Sequence, residues 1–226
     1  KRGDSLFMIK GVIFDMDGVI VDSEAIHIKM KIQALKEYGI ACSPKECMAY
    51  FGRSSNALFS DFIKKASADI PLQQIVARKH QLFLQYASDN GAVEPIDGAL
   101  DLIKELRSKN IPLALASSSV RYNIEWFLKK FGVFDCFDVI LSGAELTESK
   151  PNPEIYLLAA QKLGIKPQEC VVIEDAEAGI KAAKSAACYC IAYCNPAYKE
   201  CGQDVSAADM RVNSLKDISI EKIMNI

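Results

Sequence analysis

From residue 99 to residue 193 short apolar runs alternate with segments of helical periodicity, and this alternation limits the folds open to the chain more than any other feature. A helical pattern over 99–109 precedes the run Pro112-Leu113-Ala114-Leu115-Ala116, and one over 121–131 precedes Phe137-Asp138-Val139-Ile140-Leu141. A third, over 154–163, precedes Cys170-Val171-Val172-Ile173, and a fourth, over 176–185, precedes an apolar run over 188–193. Short apolar runs bounded by turn residues read as strands buried on both faces. Strands that alternate with helices build a parallel sheet covered on both sides. The run Gly11-Val12-Ile13-Phe14 belongs with them. Between it and residue 99 the periodicity is helical almost throughout. Residues 23–39 open with Ser23 as N-cap and space Ile26, Met30, Leu35 and Tyr38 at helical intervals. Leu58, Phe62 and Ile63 mark a second helix, and Ile75, Val76, Phe83 and Leu84 a third that runs to about Tyr86. The expected fold is α/β, with a parallel-sheet core over 1–22 and 91–226 and a small all-helical domain, 23–90, inserted after the first strand. A chain of 226 residues, 50% of them hydrophobic, can bury one full core with a small second module.

The first strand runs into Asp15-Met16-Asp17-Gly18, so two carboxylates sit two residues apart at its carboxyl end, where Gly18 lets the chain turn sharply. Neighbouring carboxylates repel, and the pair is stable only with a cation between them or a proton on one. Both arrangements are chemistry: a metal site, or a nucleophile beside a general acid/base.

Ligands of parallel α/β sheets bind beyond the carboxyl ends of the strands, and three further strand ends carry suitable groups. Ser117-Ser118-Ser119 follows one strand and opens a helix, offering hydroxyls and free amides to an anion. Ser149-Lys150-Pro151-Asn152-Pro153-Glu154 follows another, and its two prolines stiffen the loop that aims Lys150. Glu174-Asp175 closes the strand Cys170 to Ile173, ahead of a helix that Asp175 is placed to cap. Asp15, Asp17, Glu174 and Asp175 together carry up to four negative charges, which call for a hard divalent cation such as magnesium. With Lys150 and Ser117 added, the set suits a phosphoryl group.

A net charge of -2 and no lysine-rich run argue against nucleic acid, and no apolar stretch approaches the ~20 residues needed to span a bilayer. The start, Lys1-Arg2-Gly3-Asp4, lacks the long apolar segment of a secretory signal, so a cytoplasmic location is expected. There the eight cysteines are reduced thiols. Cys188, Cys190 and Cys194 cluster without a CxxC pair or a nearby histidine, and read as small core hydrophobes rather than zinc ligands.

Asp15-Met16-Asp17-Gly18-Val19-Ile20-Val21-Asp22-Ser23, then Ser117, then Lys150-Pro151-Asn152-Pro153, then Glu174-Asp175 resemble, in order, the four motifs of the haloacid dehalogenase superfamily. The likeness runs over residues 10 to 195 and is nearest to the β-phosphoglucomutase-like branch, which also contains sugar-phosphate phosphatases. The resemblance implies a Rossmann-like core and makes the helical insertion a cap. It implies that Asp15 attacks phosphorus to form an aspartyl-phosphate, and that Asp17 protonates the leaving oxygen and then deprotonates the next acceptor. Magnesium would be held by the Asp15 carboxylate, the Asp17 backbone carbonyl and Asp175, with Glu174 beside it; Lys150 and Ser117 would hold phosphoryl oxygens, and the following Ser118 and Ser119 would bind substrate. The implied substrate is a small phosphorylated metabolite, acted on by a monomer.

Relatives choose the acceptor with the cap. His27 matches a histidine of the mutases, and Gly52 matches the glycine of the cap specificity loop, beside Arg53 and Ser54. The chain departs from the mutases there: Phe51 stands where they carry a lysine, and Ser55 where they carry an arginine that grips a second phosphate. After Ser118 the mutases have Ser-Lys-Asn, whereas this chain has Ser119-Val120-Arg121. Arg53 and Arg121 are the candidate substitutes. The departures favour a phosphatase over a β-phosphoglucomutase, with a non-catalytic phosphoryl-binding protein as a further alternative. A dehalogenase would not need Asp17, and nothing singles out Lys31, Lys64 or Lys65 as the Schiff-base lysine of a phosphonate hydrolase. The two crossings, Val21 to Ala25 and Asp89 to Glu94, are the expected hinge.

Overall fold

The computed structural model describes residues 8–50, 54–89, 93–196 and 202–226. Its sheet comprises β1 (Gly11–Phe14), β2 (Leu113–Ser117), β3 (Val139–Ser142), β4 (Cys170–Glu174), β5 (Tyr189–Tyr193) and β6 (Met210–Val212). The strand order is β3-β2-β1-β4-β5-β6 and every pairing is parallel. Phe14 lies opposite Leu115 on one side and Ile173 on the other, so residues 15–17, 117–119 and 174–175 emerge side by side at one edge. The order reverses direction between β1 and β4, and the crevice outside the carboxyl ends at that switch is the ligand position in such sheets.

Side chains alternate across the sheet with period two. Val12 and Phe14 enter one apolar cluster with Leu102 of α5 (Ala99–Ser108) and Phe127 of α6 (Arg121–Lys130). Ile13 enters the other, with Tyr156 and Ala159 of α7 (Glu154–Leu163) and Ala183 of α8 (Glu177–Ser185). The structure thus has the expected Rossmann-like α/β core.

Between β1 and α5 the chain forms α1 (Glu24–Glu37), α2 (Pro44–Met48), α3 (Ser55–Lys65) and α4 (Leu72–Asp89). Leu35, Leu58, Phe59, Phe62 and Ile75 make an apolar cluster of their own. The two crossings run beside each other: Val21 bridges to Pro95, and the Ile96 amide donates to the Ile20 carbonyl at 2.9 Å.

Several details depart from expectation. Ser23 precedes α1 but makes no side-chain cap; its hydroxyl goes to Asp17 instead. Asp175 does not cap α8 with its side chain; Ala176 stands at that position. The strand expected from Phe137 begins at Val139, because Phe134–Cys136 winds into a 3₁₀ turn and the Asp138 carboxylate takes the Leu113 amide at 2.9 Å. The sequence reading missed β6, whose three residues include an exposed Arg211, and the five-residue helices α2 and α9 (Ile220–Met224). Among the described residues no helix is long and apolar enough to cross a membrane.

Candidate active site

The loop after β1 turns back on itself at Gly18, whose φ of +87° an L side chain rarely adopts. A Cβ there would lie 1.9 Å from Asp175 Oδ2. Glycine is therefore what lets the first acidic loop approach the second.

Lys150, 3% exposed, is the hub of the buried side. Its Nζ donates to Asp15 Oδ1 at 2.5 Å, to Glu174 Oε1 at 2.7 Å and to the Ala116 carbonyl at 3.0 Å, so all three donors are used. Glu174 is held just as fully. Tyr156 donates its hydroxyl to Oε1 at 2.7 Å, and the Asp175 and Ala176 amides donate to Oε2 at 2.9 and 3.1 Å. Burial, the largest influence, would lower the Lys150 pKa, but Asp15 and Glu174 outweigh it and the net shift is upward, so the ammonium stays charged. Asp15 Oδ2, by contrast, carries no hydrogen bond among the described residues.

Asp15, Glu174 and Asp175 each bring a carboxylate oxygen within 4.8 Å of the others. Asp175 Oδ2 is buried without a hydrogen-bond partner. Burial pushes Asp15 and Asp175 well above the usual carboxylate range, helped for both by the charge of Glu174, because three acids share one ammonium. An orphaned buried carboxylate oxygen in an all-oxygen donor set is the environment a hard divalent cation fits.

Asp17 has the opposite surroundings. Its Oδ1 takes the Ser23 hydroxyl and His27 Nε2, the latter at 3.1 Å, while its Oδ2 accepts from Ser119 Oγ at 2.7 Å and Ser117 Oγ at 3.2 Å. Burial pushes its pKa up, but His27, Ser23 and Ser119 outweigh burial and the group is held well below the usual range. Asp17 is therefore ionised, and its carboxylate is not among the three clustered acids that could hold a metal.

Lys79 Nζ lies 3.2 Å from His27 Nδ1. An ammonium can only donate, so Nδ1 accepts and the ring proton sits on Nε2, directed at Asp17. Burial and the Lys79 charge lower the His27 pKa, which favours the neutral ring and makes His27 chiefly an N–H donor to Asp17. Burial, with Lys31 nearby, brings Lys79 itself down to about 8.

These groups open onto a cavity of about 420 Å³ between the sheet edge and the helical segment. Of the residues singled out from sequence, Asp15, Asp17, Glu174, Asp175, His27, Ser54, Ser118 and Ser119 line it. Ser117 and Lys150 sit just behind, in contact with the lining acids. Arg121 is not brought in: it makes two hydrogen bonds to the Glu145 carboxylate, at 2.7 and 2.8 Å. Gly52 and Arg53, with Phe51, lie outside the described residues.

The sequence reading missed Tyr156, Glu24, Lys31 and Lys79. Tyr156 reads as an ordinary apolar position of α7, and only the fold places its hydroxyl against Glu174. Glu24, His27 and Lys31 do carry a signal, since positions i, i+3 and i+7 share one helix face. The seven described cysteines are free, and burial raises Cys170 and Cys188 to about 12, as inert core thiols require.

The model of the family described as haloacid dehalogenase-like hydrolase matches residues 12–193. The fructose-1-phosphate phosphatase YqaB of Escherichia coli (strain K12) is 31% identical over 176 residues, which is 78% of this chain and 92% of that protein. The bifunctional riboflavin kinase/FMN phosphatase of Arabidopsis thaliana is 29% identical over 212 residues, 93% of this chain, and the chain spans 55% of that protein's length. The β-phosphoglucomutase of Clostridium difficile superposes with a TM-score of 0.84 at 27% identity, over 96% of each chain.

Proposed function

The chain belongs to the haloacid dehalogenase-like hydrolase family, in its β-phosphoglucomutase-like branch, and we propose that it is a phosphatase acting on a sugar phosphate or similar small phosphorylated metabolite. One observation carries this reading: two carboxylates two residues apart have opposite electrostatic surroundings. Asp15 presents an oxygen with no hydrogen bond toward the cavity, while Asp17 is ionised by a cradle of donors. That is a division between nucleophile and proton carrier.

In the first displacement an Asp15 Oδ2–phosphorus bond forms and the bond from phosphorus to the leaving oxygen breaks, giving an aspartyl-phosphate. The leaving oxygen takes a proton from Asp17. In the second, water attacks the phosphorus, Asp17 removes its proton, and Asp15 is released. Lys150 neutralises charge at Asp15 and aligns its carboxylate, and Glu174 fixes the direction of Lys150. Ser117, Ser118 and Ser119 would hold the phosphoryl oxygens at the turn before α6, where the Ser119 amide donates to Ser117 Oγ at 3.0 Å. Asp15 and Asp175, with Glu174 adjacent, would hold magnesium, which when bound neutralises the phosphoryl oxygens. The helical segment, residues 23–90, serves as a cap that closes the cavity. Asp17 as it stands is the base of the second displacement. For the first it takes a proton from solvent, as its proton affinity rises when the cap moves and carries Ser23 and His27, both on the cap side, away from it.

A mutase is the second reading, favoured by one observation: Lys79 lines the cavity without a carboxylate partner among the described residues. Arg121, committed to Glu145, does not supply a grip for a second phosphate.

The test is magnesium-dependent hydrolysis of a panel of phosphomonoesters. Asp15→Asn should abolish turnover; activity persisting in that variant would overturn the reading. Incubation with β-glucose 1-phosphate and a trace of the 1,6-bisphosphate separates the two readings, since conversion to glucose 6-phosphate outpacing phosphate release identifies a mutase.

A further inference from the structure

Two buried charges in the cavity wall have no part in the chemistry above. Glu24 and Lys31 flank His27 on one face of α1, are 6% and 5% exposed, and both line the cavity. Lys31 Nζ donates to Glu24 Oε1 at 3.3 Å, and among the described residues neither side chain makes another hydrogen bond. A single long contact leaves two N–H donors of the ammonium, and Oε2 of the carboxylate, unused.

A buried ion pair in that condition is a poor stabiliser. Its desolvation is offset only by close geometry and by filling the remaining donors and acceptors. Apolar replacement of such a pair commonly leaves a fold no less stable. Neither group is among the buried atoms sealed off without a partner, so its unused donors and acceptor face the cavity, where a ligand can take the place of water.

The chemistry of the two groups narrows what fits. A carboxylate accepts from O–H, and an ammonium donates to a hydroxyl oxygen, so two adjacent hydroxyls of a polyol satisfy both at once. An anion attracted to Lys31 would meet Glu24, a cation attracted to Glu24 would meet Lys31, and an apolar group would leave both unpaired. The same cavity carries Ser54, Ser55, Asn56 and Ser60, further short polar side chains for a hydroxyl-rich molecule.

We propose that Glu24 and Lys31 form the specificity determinant of the site, holding two neighbouring hydroxyls of a polyol leaving group beside the His27–Asp17 contact. The proposal rests on the phosphoryl-transfer reading and names residues that select its substrate.

The test compares kcat/KM for sorbitol 6-phosphate or fructose 1-phosphate, whichever is turned over better, with that for p-nitrophenyl phosphate, whose leaving group has no hydroxyl substituents. In Glu24→Gln and in Lys31→Met the ratio of the two should fall about 10- to 100-fold, the loss of one hydrogen bond to a charged group. The double variant Glu24→Met/Lys31→Met should show the same fall with a thermal midpoint at or above that of the parent chain. Calorimetry in the Asp15→Asn background should show the polyol phosphate losing at least tenfold more affinity than methyl phosphate when Glu24→Gln is added. An unchanged ratio, equal losses on both substrates, or a lower midpoint in the double variant overturns the proposal. Failure of the parent chain to hydrolyse any phosphomonoester would instead overturn the reading beneath it.

Discussion

Gly179 offers a test in which helix propensity and site geometry predict opposite signs. It lies in the first turn of α8, where alanine would ordinarily stabilise the helix by about 1 kcal/mol. A Cβ at Gly179 would lie 1.6 Å from Glu174 Oε1 and 2.6 Å from Oε2. Side-chain ends usually yield to such contacts, but Glu174 is 1% exposed and held by Lys150, Tyr156 and two amides. Displacing it breaks at least two of those four bonds. At about 1.5–3 kcal/mol for each hydrogen bond to a charged group, that is about 3–6 kcal/mol lost, or about 2–5 net of the helix gain. Gly179→Ala should therefore lower the urea midpoint of unfolding. It should also cut kcat for p-nitrophenyl phosphate by about 10- to 100-fold, because Lys150 loses one of its two carboxylate partners. Equal or greater stability with full activity would mean that Glu174 has room to move and that its four bonds do not anchor Lys150.

Two further outcomes follow from the charges. Magnesium should raise the thermal midpoint of the parent chain, by about 2.7 kcal/mol of stabilisation at a hundred times its Kd, and Asp175→Asn should remove that response; in the absence of metal the same variant should melt higher, since it deletes a carboxylate that burial and Glu174 disfavour. A magnesium response undiminished in Asp175→Asn would refute the assignment of the metal ligand. Lys79, lowered by burial from 10.5 to about 8, binds fewer protons folded than unfolded between those values, so its burial penalty, at most about 3 kcal/mol, is complete below pH 8 and vanishes as pH rises to 10.5. Lys79→Met should be the more stable chain at pH 7, with the difference shrinking toward pH 10.5; a difference constant across that window would show that Lys79 is not a strained buried charge.

The chemistry at the sheet edge was legible because parallel strands convert chain position into spatial position. Once Val12, Leu113 and Val171 are read as neighbouring strands, Asp15, Ser117 and Asp175 must emerge together. Lys150 was legible from the prolines that follow it. The helical wall was not legible in the same way. On α1 buried and exposed residues mix, and Ser23, Glu24, His27 and Lys31 are polar on a buried face, so periodicity alone reads them as solvated. Only the packing of α1 against α4, which brings Lys79 to His27, turns that face into a wall of the site. Tyr156 was hidden for the converse reason, since an aromatic at a core position carries no sign that its hydroxyl has a task.

The difference between the two aspartates follows from which elements donate to each. Among the described residues the one side-chain donor to Asp15, Lys150, belongs to the sheet side, as do the neighbouring acids that disfavour its charge. The donors to Asp17 are divided: Ser117 and Ser119 stand on the sheet side, while Ser23 and His27 belong to the segment of the helical wall. His27 and Ser23 both hold the Asp17 pKa down as hydrogen-bond donors. Any displacement of the helical wall therefore withdraws two donors from Asp17, and leaves Lys150 on Asp15. The proton affinity of Asp17 rises while Asp15 stays aligned, which is the change that the proposed mechanism needs between deprotonating water and protonating a leaving oxygen.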